Sequence, residues 1–341
     1  MANRPTMSDV AAAAGVSQAT VSLVLNHSQT GRVSAETSKR VLEAAEHLGY
    51  RTNVHAKVLR EGKSRMIGMI GDEVASTEFA GEMILGAQQE AWRRGYVLLT
   101  VDTAGDPGLE KAAISMMQSY RVAGVIYASM YHRLVELPAA LSGIKAVCAN
   151  SQESAGAVTS VFPDEVAGGR EAAKALLDSG HRRIAMINIA EEGSVLPAAS
   201  GRLKGFSEAL RDAGVALSSD LVRFGAGGYE DGVHHALDLL DRPDRPSAIF
   251  CANDRTALGA YHAAARLGVS IPADVSIIGF DNQRLLLPMF SPQLTTFQLP
   301  LVEMGRLAVT EVLAASAGPR RLAVECSLHI RESVTQAKVS A

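Results

Sequence analysis

The residue types that most often carry catalysis or bind metals do not combine into a recognisable set in this sequence. His234 and His235 are adjacent on a predicted helix, so they point in different directions and cannot chelate a metal as an i, i+4 pair would. The glycines of GAGGYEDG (225–232) lack the lysine and the spacing of a phosphate-binding loop. No Ser/His/Asp arrangement is indicated. We therefore expect no enzymatic activity, no metal site and no cofactor.

A different chemistry is indicated by the run TMSDVAAAAGVSQATVSLVLN (6–26). Thr6 and Asp9 have the spacing of a capping box that opens a first helix, and Gly15 permits the turn that follows. Ser17 then begins a second helix. Two short helices across a glycine-containing turn are typical of the DNA-binding helix-turn-helix, whose second helix enters the major groove. An ordinary helical hairpin inside a larger domain is the alternative interpretation.

The distribution of charge supports the DNA-binding interpretation. Residues 1–65 contain nine Lys/Arg and five Asp/Glu, a net charge of +4, whereas the remaining residues contain 24 and 31, a net charge of −7. Together these give the overall net charge of −3. A basic head on an acidic body is expected of a DNA-reading module attached to a sensor.

The cysteines and the N-terminus indicate a cellular compartment. Cys148, Cys251 and Cys326 lie in apolar strand-like runs without paired spacing, so we expect buried free thiols rather than disulfides or a metal site. No signal peptide is recognisable at the N-terminus, and no apolar run reaches membrane-spanning length. These features favour a cytoplasmic protein.

The remaining pattern predicts the elements that position these residues. A third helix begins at Ser34 and ends at Gly49, and a short helix over 54–60 precedes a flexible joint. Beyond Met66, apolar strands alternate with amphipathic helices, which indicates two doubly wound parallel sheets and a ligand site at the carboxyl ends of their strands. The predicted strands are 66–70, 96–102, 124–128, 146–150, 183–189, 221–224, 248–252 and 275–280, and the predicted helices are 7–14, 18–25, 81–94, 109–120, 164–179, 202–212, 229–240 and 255–267.

The sequence resembles the lactose-repressor (LacI/GalR) family of bacterial transcription regulators over essentially its whole length. The resemblance rests on DVAAAAGVSQATVSLVLN, VSAETSKRVLEAAEHLGY, YRTNVHAKVLREGKS, DEVAGGREAAKALLDSGHRRIAMI, GRLKGF, FCANDRTALGAYHAAARLGVSIPADVSIIGFDN and SPQLTTF. It implies a homodimer with an all-α helix-turn-helix headpiece (1–50), a hinge helix and linker (51–64), a periplasmic-binding-protein-like α/β body (65–336) and a tail (337–341). The body would comprise an N-subdomain (about 65–163 and 297–327) and a C-subdomain (about 164–294 and 328–336), joined by crossovers near Phe162–Asp164, Leu294–Phe297 and Ser327.

The resemblance also implies which headpiece residues contact DNA. Gln18, Ala19 and Leu23 would face base edges, since glutamine can pair with adenine and alanine can touch a thymine methyl group. Leu23 stands where the family often has a basic or polar residue, so readout at that base would be apolar. The other implied headpiece contacts are Thr6, Asn26 and the phosphate-contacting Ser17, Thr20, Ser22 and Tyr50. A solvated helix face is the alternative for Thr20 and Ser22.

In the hinge, the resemblance implies that Leu59 wedges the central base step from the minor groove, with Ala56 packing beside it. Asn53 and Lys57 would lie near the DNA backbone. Thr52 replaces the proline that usually precedes this helix, which removes a fixed φ angle, although Asn53 can still cap the helix. An exposed apolar residue in a linker is the alternative for Leu59.

For the effector, the resemblance implies a pocket between the subdomains. Its implied polar residues are Asn150, Arg202, Asn253 and Asp281, and its implied walls are Phe79, Phe162 and Tyr229. This set suits vicinal hydroxyl groups and favours a sugar, although purine-binding relatives also use an arginine and an aspartate. Asn253 and Asp281 could instead serve only as structural caps at strand ends.

Together these features predict an effector-controlled repressor that reads a pseudo-palindromic operator as a homodimer. The chain stops about ten residues beyond HIRES, without room for a C-terminal heptad array, so a dimer is favoured over a tetramer. A sugar-binding protein without a DNA role and a sugar-processing enzyme are the alternatives. An activator and a protein co-regulator also stay open.

Overall fold

The computed structural model describes residues 5–25, 33–50, 64–72, 74, 81–315 and 318–338. The chain separates into two compact units, Met1–Ser64 and Arg65–Ala341. The predicted hinge helix over 54–60 lies outside the described residues.

The first unit contains three helices whose ends are set by local capping. They are α1 (Met7–Ala14), α2 (Gln18–Leu25) and α3 (Ala35–His47). The Thr6 hydroxyl accepts a hydrogen bond from the Asp9 backbone N–H at 3.3 Å, and the Asp9 carboxylate accepts one from the Thr6 N–H at 2.7 Å. This reciprocal pair is the predicted capping box. Gly15 follows α1 with φ +63°, so the chain turns as expected.

A small apolar core holds these helices together. Val10 of α1, Val21 and Val24 of α2, and Val41 of α3 are buried against one another. The axes of α1 and α2 differ by 102°, within the range of a helix-turn-helix. Arg40 donates a hydrogen bond to the Ala14 carbonyl oxygen at 2.8 Å, which ties α3 to the end of α1. The predicted bounds of α1 and α2 are confirmed.

The second unit is built on two six-stranded sheets with the same strand order. The first sheet has the order β11-β5-β4-β3-β1-β2 and the second the order β12-β10-β9-β8-β6-β7. The strands are β1 (Met66–Asp72), β2 (Val97–Asp102), β3 (Val125–Val135), β4 (Ala146–Glu153), β5 (Thr159–Pro163), β6 (Ile184–Ile187), β7 (Val222–Arg223), β8 (Ala248–Cys251), β9 (Ser276–Asp281), β10 (Thr295–Gln298), β11 (Arg321–Val324) and β12 (Ser327–His329). The helices are α4 (Gly81–Arg93), α5 (Pro107–Ser119), α6 (Glu165–Asp178), α7 (Pro197–Asp212), α8 (Tyr229–Leu240), α9 (Asp254–Leu267) and α10 (Leu301–Leu313).

The prediction of two doubly wound parallel sheets is confirmed. The described strand pairs are parallel except for β10 with β12, which run antiparallel at one end of the second sheet. We call the part around the first sheet the N-subdomain and the part around the second sheet the C-subdomain. The chain crosses between them after β5, after β10 and between β11 and β12.

The second crossover lies just beyond the predicted range. The sequence places it near Leu294–Phe297, but β10 pairs with β9 through Gln298, so the chain leaves the C-subdomain only after that residue. Helix α7 begins at Pro197 rather than at Arg202, because proline at a first helical position is well tolerated.

In the C-subdomain, helices α6 and α7 pack closely and bring polar residues to the carboxyl ends of the strands. Helices α6 and α7 approach so closely that a Cβ atom on Gly205 would lie 1.9 Å from the Val166 carbonyl oxygen, and one on Gly169 would lie 2.1 Å from the Arg202 carbonyl oxygen. Only glycine allows this approach. It places the start of α6 beside Arg202 on α7.

None of the described helices is by itself long and apolar enough to cross a membrane. Only together do α1 and α2, which are bent relative to each other, have the length and apolar composition of a membrane-spanning segment. Their apolar faces form the core of the first unit. Cys148, Cys251 and Cys326 are buried and free, as predicted.

Candidate functional site

A small cavity lies between the N-subdomain and the C-subdomain, at the carboxyl ends of their strands. Its volume is about 20 Å³, enough for roughly one water-sized polar group. The lining residues come from both subdomains and are Met130, Tyr131, His132, Asn150, Glu165, Ile189, Ala198, Arg202, Asn253, Asp281 and Leu299. The cavity thus brings together Asn150, Arg202, Asn253 and Asp281, the polar residues singled out from the sequence.

Arg202 is the buried cation of this cavity. Its Nε donates a hydrogen bond to Glu165 Oε2 at 2.7 Å, and its Nη1 donates to the Ala252 carbonyl oxygen and lies 3.6 Å from Asp281 Oδ1. The guanidinium also stacks on Phe280, with its carbon 3.8 Å from the ring centroid. Burial disfavours the charge, but Glu165 and Asp281 outweigh that effect and raise the pKa of Arg202. Arg202 therefore stays charged and fixed in position.

Asp281 ends β9 in a backbone conformation that L-residues rarely adopt, with φ +105°. Burial raises the pKa of its carboxyl to about 6, against the opposing effect of Arg202. Behind it, Asp254 accepts hydrogen bonds from Thr296 Oγ1 at 2.6 Å and from the Gln283 N–H at 2.7 Å. Burial and the charge of Asp281 raise the pKa of Asp254 to about 8. This wall of the cavity is rich in carboxyl groups.

The two asparagines of the cavity are engaged with the backbone. Asn253 caps α9, since its Oδ1 accepts from the Thr256 N–H at 2.8 Å and its Nδ2 donates to the Gly227 carbonyl oxygen at 2.9 Å. Asn150, with φ +51°, donates from Nδ2 to the carbonyl oxygens of Ser129 and Met130. Each asparagine therefore shapes the cavity as well as lining it.

A bulge in β3 explains how a residue that the sequence did not single out enters the cavity. The pairing of β3 with β4 shifts between Ala128 and Arg133, so residues 129–132 of β3 lie opposite Asn150 alone. Bulges of this kind redirect side chains and are common beside functional sites. Here the bulge carries His132 into the cavity, where its Nδ1 lies 3.4 Å from Glu165 Oε1.

Two of the three aromatic residues expected to wall the pocket, Phe162 and Tyr229, do not line this cavity. Phe162 stacks on His132, with ring centroids 4.9 Å apart, and is not among the lining residues. The Tyr229 hydroxyl makes a 2.6 Å hydrogen bond with His262 Nδ1 and does not line this cavity either. Phe79 lies outside the described residues.

The expected DNA-contacting residues of α2 share its outward face. Gln18 and Ala19 are exposed, Ser22 and Leu23 follow them by one helical turn and are half-buried, and Val21 and Val24 are buried on the opposite face. Ser17 accepts a hydrogen bond from the Thr20 N–H at 3.1 Å and thereby caps the helix. Thr6 is exposed and Tyr50 half-buried. Five further predicted contacts, Asn26, Asn53, Ala56, Lys57 and Leu59, lie outside the described residues.

Among the described residues, no group of three His, Cys, Asp or Glu side chains could hold a metal ion. A helix-turn-helix unit and a two-subdomain body with a polar interior cavity on one chain define a ligand-responsive DNA-binding protein.

Comparisons with known proteins identify the family. Residues 6–53 match the model of bacterial regulatory proteins of the lacI family, and residues 173–334 match the periplasmic binding protein-like domain. The HTH-type transcriptional regulator DegA of Bacillus subtilis (strain 168) is 36% identical over 311 residues, covering 89% of this chain and 88% of DegA.

Two solved structures extend the comparison. A Lac repressor dimer bound to operator and the anti-inducer ONPF is 25% identical with a TM-score of 0.77, covering 98% of this chain and all of that one. A complex of the transcriptional regulator CelR with cellobiose is 28% identical with a TM-score of 0.66, covering 97% of this chain and all of that one.

The chain belongs to the lacI family of bacterial regulatory proteins and is a DNA-binding transcriptional regulator. The helix-turn-helix interpretation and the predicted fold class are confirmed, and the alternative of a sugar-binding protein without a DNA role is not supported. The related proteins are transcriptional regulators rather than enzymes.

Proposed function

We propose that this protein is a repressor whose affinity for a pseudo-palindromic operator is set by a sugar bound between the subdomains. The observation that carries this proposal is the convergence of Arg202, Asn150, Asn253 and Asp281 on one cavity that both subdomains line. Amide and charged groups of this kind bind hydroxyl groups through directional hydrogen bonds. The cellobiose bound to the related regulator CelR supports a sugar as the ligand.

The cavity is too small for a whole sugar in this arrangement, so binding requires the subdomains to move apart or rearrange around the ligand. In our proposal this movement changes the spacing of the two headpieces in the dimer and the order of the hinge (51–64), where Leu59 wedges the central base step. The outward face of α2, led by Gln18, reads the bases.

A homodimer is supported by an exposed apolar surface on the N-subdomain. Leu85 and Trp92, seven residues apart on one face of α4, are 48% and 77% exposed, and Val97 is exposed on the edge strand β2. Large apolar side chains grouped in this way usually mark an interface. Replacing Trp92 by glutamate should therefore shift the sedimenting species from dimer to monomer.

The test uses the full chain, a duplex selected from a random library and a panel of neutral sugars. The proposal expects the selected duplex to be pseudo-palindromic and to bind at least a hundredfold more tightly than random duplex at the same salt concentration. It also expects one sugar to raise the melting temperature and change operator affinity. Equal affinity for selected and random duplex would contradict the operator-reading role, and the absence of any effect of sugars on melting would contradict the sugar effector.

A further inference from the structure

Two buried atoms in the cavity lack a hydrogen-bond partner. Among the residues that the structure describes, His132 Nδ1 and Glu165 Oε1 are the buried side-chain nitrogen and oxygen atoms without one. His132 is 4% and Glu165 3% exposed, and the two atoms lie 3.4 Å apart. Buried polar atoms are almost always paired, so an unpaired donor and acceptor side by side in a cavity point to a ligand group that contacts both.

The neighbours of His132 determine which of its nitrogens carries the proton. The Arg321 guanidinium donates a hydrogen bond to Gln152 Oε1, which turns the amide nitrogen of Gln152 toward His132 Nε2 at 2.6 Å. An amide nitrogen can only donate, so Nε2 must accept. With Nε2 as the acceptor, Nδ1 is the ring nitrogen that serves as the hydrogen-bond donor.

Glu165, on the C-subdomain side of the cavity, is also fixed by a hydrogen bond. Its Oε2 accepts from Arg202 Nε at 2.7 Å, which leaves Oε1 as the acceptor that faces His132 Nδ1. The two free atoms are thus an N–H donor on the N-subdomain and a carboxylate acceptor on the C-subdomain.

We propose that His132 and Glu165 form a subsite for one hydroxyl group of the effector. This inference rests on the proposed sugar-binding function and specifies how the site recognises its ligand. A hydroxyl oxygen accepts the hydrogen bond of His132 Nδ1–H while its own hydrogen is donated to Glu165 Oε1. An ammonium group can only donate, and would leave the His132 donor unpaired. A carboxylate or phosphate can only accept, and would face the charge of Glu165.

The same hydroxyl would connect the two subdomains. His132 is positioned by the bulge of β3 and by Gln152 of β4 in the N-subdomain, whereas Glu165 is positioned by α6 and by Arg202 of α7 in the C-subdomain. A sugar with a correctly placed hydroxyl therefore gains affinity only in arrangements of the subdomains that admit the sugar and keep both groups within hydrogen-bond reach of that hydroxyl, and so favours those arrangements over others.

The test is calorimetric titration of the full chain with D-ribose, D-glucose, D-fructose, sucrose and cellobiose, with D-glucosamine and D-gluconate as cationic and anionic probes. Three variants are compared with the wild type. His132→Phe keeps a ring against Phe162 but removes the donor, and Glu165→Gln replaces the acceptor by an amide. Glu208→Gln, a matched control, alters an acidic residue on α7 that pairs with Arg170 outside the cavity.

We expect a neutral sugar to bind the wild type and Glu208→Gln equally, and to bind His132→Phe and Glu165→Gln about 10- to 100-fold more weakly. Monodeoxy analogues of that sugar should identify one hydroxyl whose removal weakens wild-type binding but has little effect in His132→Phe. A wild-type far-ultraviolet circular dichroism spectrum and a cooperative denaturant transition show that a variant is folded.

Three outcomes would overturn the inference, and they are distinguishable. Binding of a neutral sugar with equal affinity to all variants would overturn the hydroxyl subsite and leave the sugar effector standing. Tighter binding of D-glucosamine or D-gluconate than of every neutral sugar would overturn the assigned donor and acceptor pattern. Binding of no probe to the wild type would overturn the proposed sugar effector and the subsite with it.

Discussion

The first unit and the cavity of the second unit expose functional groups in opposite ways. On α2, Gln18 and Ala19 face solvent while Val21 and Val24 form the core, so the side chains proposed to read DNA are not those that hold the fold together. In the cavity, Arg202 and Glu165 are each 3% exposed and form an ion pair with one another, so the side chains proposed to bind the effector also stabilise the fold. A change on α2 should therefore alter recognition alone, whereas a change in the cavity should also alter stability.

The two regions also differ in the direction of their pKa shifts. Hydrogen bonds from Thr6 lower the pKa of the exposed Asp9 that caps α1. Burial instead raises the pKa of Asp254 to about 8 and that of Asp281 to about 6. Asp9 therefore supports its helix when ionised, whereas the cavity wall is more stable when its carboxyls are protonated.

The largest effect is expected from Arg202→Leu. Removal of the guanidinium leaves Glu165 and Asp281 buried without their cation, which should lower the free energy of unfolding by about 3–5 kcal/mol. Denaturant titration of the full chain measures this loss in the free energy of unfolding. Arg211→Leu, an exposed position on the same helix, is the control and should change stability by less than about 0.5 kcal/mol. Equal stability of the two variants would show that the buried arginine of the cavity contributes no more to folding than an exposed one.

A second prediction concerns the pH dependence of stability. Asp254 has a folded pKa of about 8, above the 3.8 of an ordinary aspartate, so the folded state binds more protons between these values. Its contribution to stability is complete below pH 3.8 and is lost progressively as pH rises toward 8. Asp254→Asn should remove this decline in denaturant titrations from pH 4 to 8. An identical slope in wild type and variant would show that Asp254 is not the source.

A third prediction tests the helix packing that positions the cavity. The Cβ atom of Gly205→Ala would meet the Val166 carbonyl oxygen at 1.9 Å, so α6 and α7 must separate. We expect a loss of about 1–3 kcal/mol in stability together with weaker effector binding. Gly81→Ala, where nothing lies within 4 Å of the added atom, is the control. Full stability of Gly205→Ala would contradict the described helix approach.

The smallest effect on stability is expected from Gln18→Ala. The side chain is exposed, so the free energy of unfolding should change by less than about 0.5 kcal/mol. Discrimination at one operator base pair should fall by about 1–3 kcal/mol, measured by competition with single-site operator variants. Glu43→Ala on α3 serves as the control. If Gln18→Ala lost stability but kept its discrimination between operator base pairs, Gln18 would serve folding rather than DNA reading.

The sequence predicted the first unit closely because its signals are local. Thr6, Asp9 and Gly15 determine the ends of α1 through contacts within a few residues. The central strands were also predicted, since their apolar runs are continuous. Short strands such as β5, β11 and β12 were missed, because their pairing depends on partners far along the chain.

The candidate site was predicted only in part, because some of its residues are positioned by contacts between distant parts of the chain. Arg202, Asn253 and Asp281 stand in motifs that the family resemblance identifies. His132 was missed because its position depends on a shift in register between β3 and β4, which leaves no periodic signal. Glu165 begins a helix that was predicted, but its pairing with Arg202 requires the close approach that Gly169 and Gly205 allow.

In the proposed mechanism, effector binding and operator binding are energetically coupled through the cavity. The most direct test is the operator affinity of the full chain with and without the neutral sugar that raises its melting temperature, in the wild type and in His132→Phe at a sugar concentration that saturates each. We predict a change in wild-type operator affinity of at least about fivefold, and a much smaller change in His132→Phe. Wild-type operator affinity that stays the same at saturating sugar would contradict the account.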